Sequence, residues 1–193
     1  MRPLAVGIPL VALAALAACG ANPPVRRPAR YGIGRMVSPA EIAALDIDID
    51  PDGAGLPAGS GSVDAGAVIY KGKCAICHGP KGEGIAPLYP PLIGRDPKGE
   101  NFVFGSDYRI ARTIGNYWPY ATTVFDYVRR SMPLTAPGSL TNDDVYAVTA
   151  YLLAENQVIP MDATLDAPSL RRVKMPYADR FVVDNRRGGR DVR

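Results

Sequence analysis

The pattern of apolar and polar residues predicts short helices separated by long irregular stretches. Val63–Lys73 has the pattern of an amphipathic helix, with Gly66 and Tyr70 four residues apart on one face. Further along, apolar residues recur at spacings of three and four, the period of an α-helix; they are Val145, Val148, Tyr151 and Leu152. Thr141, followed by Asn142-Asp143-Asp144, is a favoured N-cap residue, so we expect this helix to begin directly after it.

Two more short helices are expected between these, over residues 106–116 and 120–130. Their separation at Trp118-Pro119 follows from proline chemistry, because proline has no amide proton and restricts the residue before it. The regular structure predicted between residues 63 and 160 therefore consists of helices joined by loops.

The segment before residue 63 is rich in proline, glycine and serine. Ser38, with Pro39 at the first helical position and Glu41 three residues on, predicts one helix running to Leu45. The next five residues, Asp46–Asp50, alternate strictly between acidic and apolar. They fit either an extended segment lying on the domain or a solvated acidic face. Residues 53–62 are interpreted as a linker.

Composition limits the choice of protein class. A chain of 193 residues and 20.6 kDa has room for one ordinary domain with tails, which excludes a large multidomain enzyme. The net charge of +3 comes from residues 161–193, with eight basic and five acidic groups, while nine of each balance over 63–160. No clustered basic face is visible, so no nucleic-acid partner is expected. A single histidine excludes every site that needs two.

The N-terminus has the features of a bacterial secretion signal. Residues 1–18 contain Arg2, an apolar run too short to span a bilayer, and small residues before Cys19. The sequence Leu-Ala-Ala-Cys-Gly at 16–20 resembles a lipoprotein processing box, which predicts lipidation of Cys19, a tether over 19–62 and a periplasmic location on a bacterial membrane. The alternative is a plain secreted protein in which Cys19 is discarded or left as a free thiol.

Cys74-Ala75-Ile76-Cys77-His78 is the attachment motif of a covalent c-type haem. One helical turn brings both thiols to neighbouring edges of the porphyrin, and the next residue presents its imidazole to the iron. The alternatives are weaker. A structural zinc site lacks a fourth ligand, a thioredoxin-type pair lacks its βαβ setting, and a plain disulfide leaves His78 without a role.

With these residues, the chain over 63–160 resembles a mono-haem class I cytochrome c. The resemblance implies an all-α fold with irregular N- and C-terminal extensions, the latter being the basic segment 161–193. It also implies that Gly66 and Tyr70 cross the C-terminal helix, with Tyr70 packed on Tyr151. Pro90 occupies the position whose carbonyl accepts the Nδ1 proton of the haem histidine in this family.

The sixth iron ligand must be Met, Lys, Asn or a vacancy, because the chain has no second histidine. The class I resemblance favours Met132, which precedes the last helix by a short loop. Met161 and Met175 are rivals that also fit as cover for apolar surface. Trp118 is expected near the haem, where its indole could donate to a propionate; the alternative is simple core filling.

A narrower resemblance connects the chain to the cytochrome subunits of molybdenum-dependent sulfite and sulfane dehydrogenases of sulfur oxidation. It rests on four stretches: parts of 39–62, then 117–133, 136–141 and 173–176. It implies a single haem c that accepts electrons from a molybdenum-containing dehydrogenase and passes them to another cytochrome or an oxidase. Some relatives carry a second haem, whereas this chain has one attachment motif.

No nucleophile and base pair is visible, so no catalytic residues are expected in this chain itself. Two other functions stay open at this point: a freestanding membrane-tethered electron shuttle, and a haem sensor with an open iron position.

Overall fold

The computed structural model describes residues 32–95 and 109–182. Its elements in chain order are α1 (Pro39–Leu45), β1 (Ser60–Ser62), α2 (Val63–Lys73), α3 (Ala75–His78), α4 (Ala121–Ser131), α5 (Asn142–Glu155), β2 (Thr164–Asp166), α6 (Ala167–Arg171) and a 3₁₀ turn (Ala178–Arg180). The chain divides into two compact units, Met1–Ile42 and Ala43–Arg193. The second unit begins before the domain boundary predicted at residue 63.

The helix predicted after Ser38 is confirmed as α1, and none of its residues is buried. Local hydrogen bonds stabilise its start, since Glu41 N–H donates to Ser38 Oγ at 3.3 Å and Ser38 N–H donates to the Glu41 carboxylate at 2.9 Å. Arg35 pairs with the same carboxylate. The Arg35 guanidinium and the Ser38 donors lower the pKa of Glu41 to about 2.

The centre of the second unit is the crossing of α2 and α5. A Cβ built on Gly66 would lie 2.0 Å from the Ala147 carbonyl oxygen, so the two helix backbones touch at this point. One turn further along α2, the rings of Tyr70 and Tyr151 pack with their centroids 5.0 Å apart. The crossing and the tyrosine pair are confirmed.

Helix α5 starts where the sequence predicts. The Thr141 side chain accepts from Asp144 N–H, and the Asp144 carboxylate accepts from Thr141 N–H, which makes a reciprocal capping box. Helix α4 packs on α5 through Phe125 and Tyr146, whose ring centroids lie 4.5 Å apart. Helix α4 begins at Ala121, within one residue of the predicted start.

The acidic segment after α1 lies on the domain and has no regular secondary structure. Ile49 is 4% exposed, and its N–H donates to the buried carboxylate of Asp126 in α4 at 2.9 Å. Arg129 donates to the Ile47 carbonyl and Thr122 donates to the Pro51 carbonyl. Of the two alternatives for Asp46–Asp50, the structure therefore shows the docked segment, with its aspartates facing solvent.

The linker prediction for 53–62 was wrong, because the end of this segment is a strand. β1 pairs antiparallel with β2, placing Gly61 opposite Leu165. No local pattern indicates this pairing, since the partner strand lies about a hundred residues away. β2, α6 and Met175 pack on the helices, and Arg171 donates to the Gly53 carbonyl at 2.7 Å. The C-terminal extension thus packs on the domain from β2 to Met175, and the Phe181 ring lies 5.4 Å from that of Tyr117.

The helix predicted over 106–116 was also wrong in its described part. Residues 109–116 form an irregular loop with turns at its two ends, and residues 106–108 lie outside the described ranges. Thr113 N–H donates to Asn116 Oδ1 at 2.8 Å, and Asn116 Nδ2 donates to the Ala111 carbonyl at 2.9 Å. Such bonds between side chains and backbone compete with the helical ladder, which explains the difference.

The predicted signal 1–18, Cys19 and the basic residues Arg186, Arg187 and Arg190 also lie outside the described ranges. Among the residues that are described, no helix combines the length and apolar character that crossing a membrane requires.

Candidate haem site

The attachment motif forms one tight turn at the end of α2. The Cys74 N–H donates to the Tyr70 carbonyl at 2.9 Å and closes α2, while the Cys74 carbonyl accepts from Cys77 N–H at 3.1 Å and from His78 N–H at 2.9 Å. Cys74 is thus the last cap of α2 and the first cap of α3. This geometry holds both thiols and the imidazole on one turn, as the spacing predicts.

Both thiols are free and partly exposed, so the turn contains no disulfide. Burial raises the pKa of the Cys74 thiol to about 11, with Lys73 acting weakly in the opposite direction. Two free thiols at this spacing are the groups that thioether attachment of a porphyrin requires.

The imidazole of His78 lies with Nδ1 3.2 Å from the Pro90 carbonyl oxygen. Because a carbonyl oxygen can only accept, this contact assigns the ring proton to Nδ1 and leaves Nε2 with its lone pair. A neutral imidazole with a free Nε2 is the form that ligates iron. The structure thus brings together the two residues that the class I resemblance pairs, and the donor set fits haem c.

The backbone after His78 is fixed by hydrogen bonds from Tyr70 and Gly84, and it lies close to the Pro90-Pro91 segment. The Tyr70 hydroxyl donates to the Gly79 carbonyl at 2.9 Å, and Gly84 N–H donates to the His78 carbonyl at 2.8 Å. Gly84 has φ +77°, and a Cβ there would lie 2.6 Å from Pro91 N. Only glycine lets the loop after His78 approach the proline segment so closely.

Methionines differ sharply in their surroundings. Met132 caps the end of α4, where its N–H donates to the Val128 carbonyl at 3.1 Å, and it is partly buried against the core. Met175 is 5% exposed and belongs to the core, whereas Met161 is 56% exposed. Of these three methionines, Met132 alone lies at the end of a core helix with its side chain partly exposed to solvent. Its role as iron ligand stays a prediction.

Trp118 packs partly against the core, with its ring 5.8 Å from that of Tyr127 in an edge-on arrangement. Its indole N–H donates to Thr123 Oγ1 at 2.8 Å. The indole proton therefore has a protein acceptor within its own loop and helix. The predicted bond to a haem propionate stays a prediction.

Asn156 is a site residue that sequence analysis missed. It follows α5, is fully buried, and bonds to the segment directly after Pro90-Pro91. A signal existed in the sequence: Asn156 lies four residues after Leu152 and continues the apolar stripe of α5. A polar residue on a buried stripe needs partners, which local patterns do not identify.

Comparison with known proteins agrees with this geometry. Residues 63–155 match the family model of cytochrome c. A chain in the crystal structure of the sulfane dehydrogenase SoxCD from Paracoccus pantotrophus is 41% identical and superposes with a TM-score of 0.69, over 81% of this chain and 73% of that one. The protein belongs to the cytochrome c family and is a class I c-type cytochrome. Its cofactor is covalently bound haem c, and its chemistry is haem-mediated electron transfer.

Two curated relatives match over part of their length. The thiosulfate dehydrogenase of Stutzerimonas stutzeri is 30% identical over 126 residues, which are 63% of this chain and 36% of that protein. The thiosulfate dehydrogenase of Allochromatium vinosum is 24% identical over 139 residues, 69% of this chain and 43% of that protein. The chain thus spans less than half the length of each.

Proposed function

We propose that this cytochrome carries a single haem c and accepts electrons one at a time from a periplasmic molybdenum dehydrogenase that oxidises sulfite or a related sulfur compound. The electrons then pass to another cytochrome or an oxidase of the respiratory chain. The observation that supports this proposal most is the 41% identity to a chain of a sulfane dehydrogenase structure, over 73% of that chain. The two thiosulfate dehydrogenase relatives are named for another sulfur-compound oxidation.

The residues of the site fit an electron carrier. Haem c supplies a one-electron couple, and the chain supplies the two thiols and the His78 imidazole that hold it. A thioether from Met132 as sixth ligand would favour ferrous iron and raise the potential, which suits a carrier that delivers electrons to a high-potential acceptor.

The proposal is tested by isolating the cytochrome from gently solubilised native membranes through an affinity handle. We expect a molybdenum-containing subunit to co-purify, identified by mass spectrometry and metal analysis, and the haem of the complex to be reduced within seconds of adding sulfite or thiosulfate. Comparing the two compounds identifies the sulfur substrate.

Two controls make this result specific. Reduction with dithionite measures the total amount of reducible haem. The second control adds the same sulfur compound to the cytochrome without the partner subunit. Its haem must stay oxidised, which excludes direct chemical reduction by the sulfur compound. A cytochrome that purifies alone, from membranes in which no sulfur compound reduces it, contradicts the proposal and favours the freestanding electron shuttle.

We further propose that Cys19 anchors the protein to the periplasmic face of a bacterial membrane. The support is the processing box at residues 16–20, and two or three acyl chains bind a membrane durably because each buried methylene contributes about 0.8 kcal/mol. In a Cys19→Ser variant we expect the cytochrome in the soluble fraction and labelled palmitate absent from it. Equal membrane retention of this variant and the natural protein would contradict the lipid anchor.

A further inference from the structure

Asn156 is a buried polar residue whose side chain bonds mainly to segments outside its own helix. It is 0% exposed at the C-terminal end of α5, and all four hydrogen-bonding positions of its side chain are used. Oδ1 accepts from Gly94 N–H and Gly115 N–H, each at 3.0 Å, and Nδ2 donates to the carbonyls of Leu92 at 3.1 Å and Leu152 at 2.7 Å. Only the last of these bonds lies within its own helix.

Two of these bonds hold the segment that follows Pro90-Pro91. Neither proline has an amide proton, so neither can fix its own position through the backbone N–H. The position of the Pro90 carbonyl therefore depends on its neighbours. On one side of Leu92–Gly94, the N–H groups of Leu92 and Ile93 donate to the Gly82 carbonyl at 2.8 and 3.1 Å. On the other side, the bonds come from Asn156.

The bond from Gly115 N–H to Asn156 Oδ1 connects Asn156 to a second loop, residues 113–115. Gly115 approaches Asn156 so closely that a Cβ at Gly115 would lie 2.6 Å from Asn156 Oδ1. The neighbouring Ile114 N–H donates to the Leu92 carbonyl at 3.1 Å, and Thr113 Oγ1 donates to the Gly94 carbonyl. Asn156 thus joins two loops and the end of α5 at one buried point.

We propose that Asn156 is a positioning residue for the haem-ligating His78. Asn156 fixes Leu92–Gly94, this segment fixes the Pro90 carbonyl, and the carbonyl accepts the His78 Nδ1 proton at 3.2 Å. That bond orients the imidazole and makes its Nε2 a more basic ligand, which stabilises ferric iron. Asn156 therefore holds the reduction potential of the haem below the value that a less firmly oriented histidine would give.

The test is the variant Asn156→Ala, studied as the full holoprotein. We expect its midpoint potential to shift upward, because a displaced Pro90 carbonyl weakens the bond to Nδ1. We also expect the haem methyl resonances in the proton NMR spectrum of the ferric protein to move, since they report the orientation of the axial imidazole. A wild-type potential with wild-type methyl resonances overturns the proposal.

A control separates positioning from loss of stability. Leu170 is fully buried in α6, and none of the hydrogen bonds that hold Leu92–Gly94 involves it. Leu170→Ala is expected to lower the unfolding midpoint while leaving the potential and the methyl resonances unchanged. If it shifts the potential as far as Asn156→Ala does, general loosening explains both results and the proposal fails.

Should Asn156→Ala yield no folded holoprotein, Asn156→Asp takes its place. The carboxylate keeps the shape of the side chain and both acceptor bonds, but faces the Leu92 carbonyl with an oxygen instead of a donor. Because a buried carboxylate by itself favours ferric iron and lowers the potential, the readout for this variant is the orientation of the imidazole: the haem methyl resonances are expected to move, and a folded Asn156→Asp protein with wild-type methyl resonances overturns the proposal. Neither measurement involves a sulfur compound or a partner, so the result is independent of the proposed function.

Discussion

Replacing Gly66 by alanine is expected to destabilise the folded cytochrome by about 3 kcal/mol or more, at the upper end of overpacking effects. The new methyl group would lie 2.0 Å from the Ala147 carbonyl oxygen and 2.7 Å from Tyr151 Cβ. Both neighbours are atoms of the α5 backbone or are attached directly to it, so they cannot move aside as the end of a flexible side chain does. The two helices must separate, and every contact along their crossing weakens.

Gly72 provides a matched control in the same helix. A Cβ at Gly72 meets no atom within 4 Å. Gly72→Ala is therefore expected to stabilise the protein by at most about 0.5–1 kcal/mol, the full gain of a helix interior, since Gly72 lies in the last turn of α2. Guanidinium unfolding followed by circular dichroism measures both variants. Because the same chemical change is expected to have opposite signs at the two positions, stabilisation by Gly66→Ala would contradict the close crossing of α2 and α5.

Replacing Met132 by alanine is expected to lower the reduction potential by on the order of 100 mV, within the range of roughly 0.8 V that axial ligands span. If Met132 is the sixth ligand, as proposed, its thioether favours ferrous iron, and its loss opens one iron position. Carbon monoxide is then expected to bind the ferrous variant but not the natural protein. Potentiometric titration and the absorption spectrum with carbon monoxide give the two results.

Met175 and Met161 supply the controls for this assignment. Met175→Leu conserves volume in the core and Met161→Ala changes an exposed side chain, so neither is expected to change the potential or admit carbon monoxide. If instead the Met132 variant keeps the natural spectrum while one of these two loses it, the sulfur ligand has been assigned to the wrong residue.

The sequence predicted well wherever the deciding interactions lie within one or two helical turns. The spacing of Cys74, Cys77 and His78 is one such case, because a single turn sets the geometry of all three. The capping box of Thr141 and Asp144 is another, since both partners lie three residues apart. The crossing at Gly66 was predicted through the class I resemblance, and the structure supplied the distances.

The predictions that failed concern segments whose conformation depends on partners that the local pattern does not show. β1 was interpreted as a linker because its three small polar residues become a strand only when β2 lies beside them. The loop over 109–116 was interpreted as part of a helix because helical periodicity says nothing about Thr113 and Asn116 bonding to nearby backbone. In each case a competing partner outweighed the local preference.

The sequence by itself determined the chemistry of this protein: one haem-attachment turn, its histidine, and the helices on either side. The class I resemblance supplied Pro90 as the partner of that histidine, and only the tertiary structure decided how the Pro90 segment is held. Pro90 lies twelve residues from His78, and Asn156 lies 62 residues from Gly94. Neighbouring residues determine the local geometry of the backbone. A buried hydrogen bond between distant segments forms only after hydrophobic packing has brought those segments together.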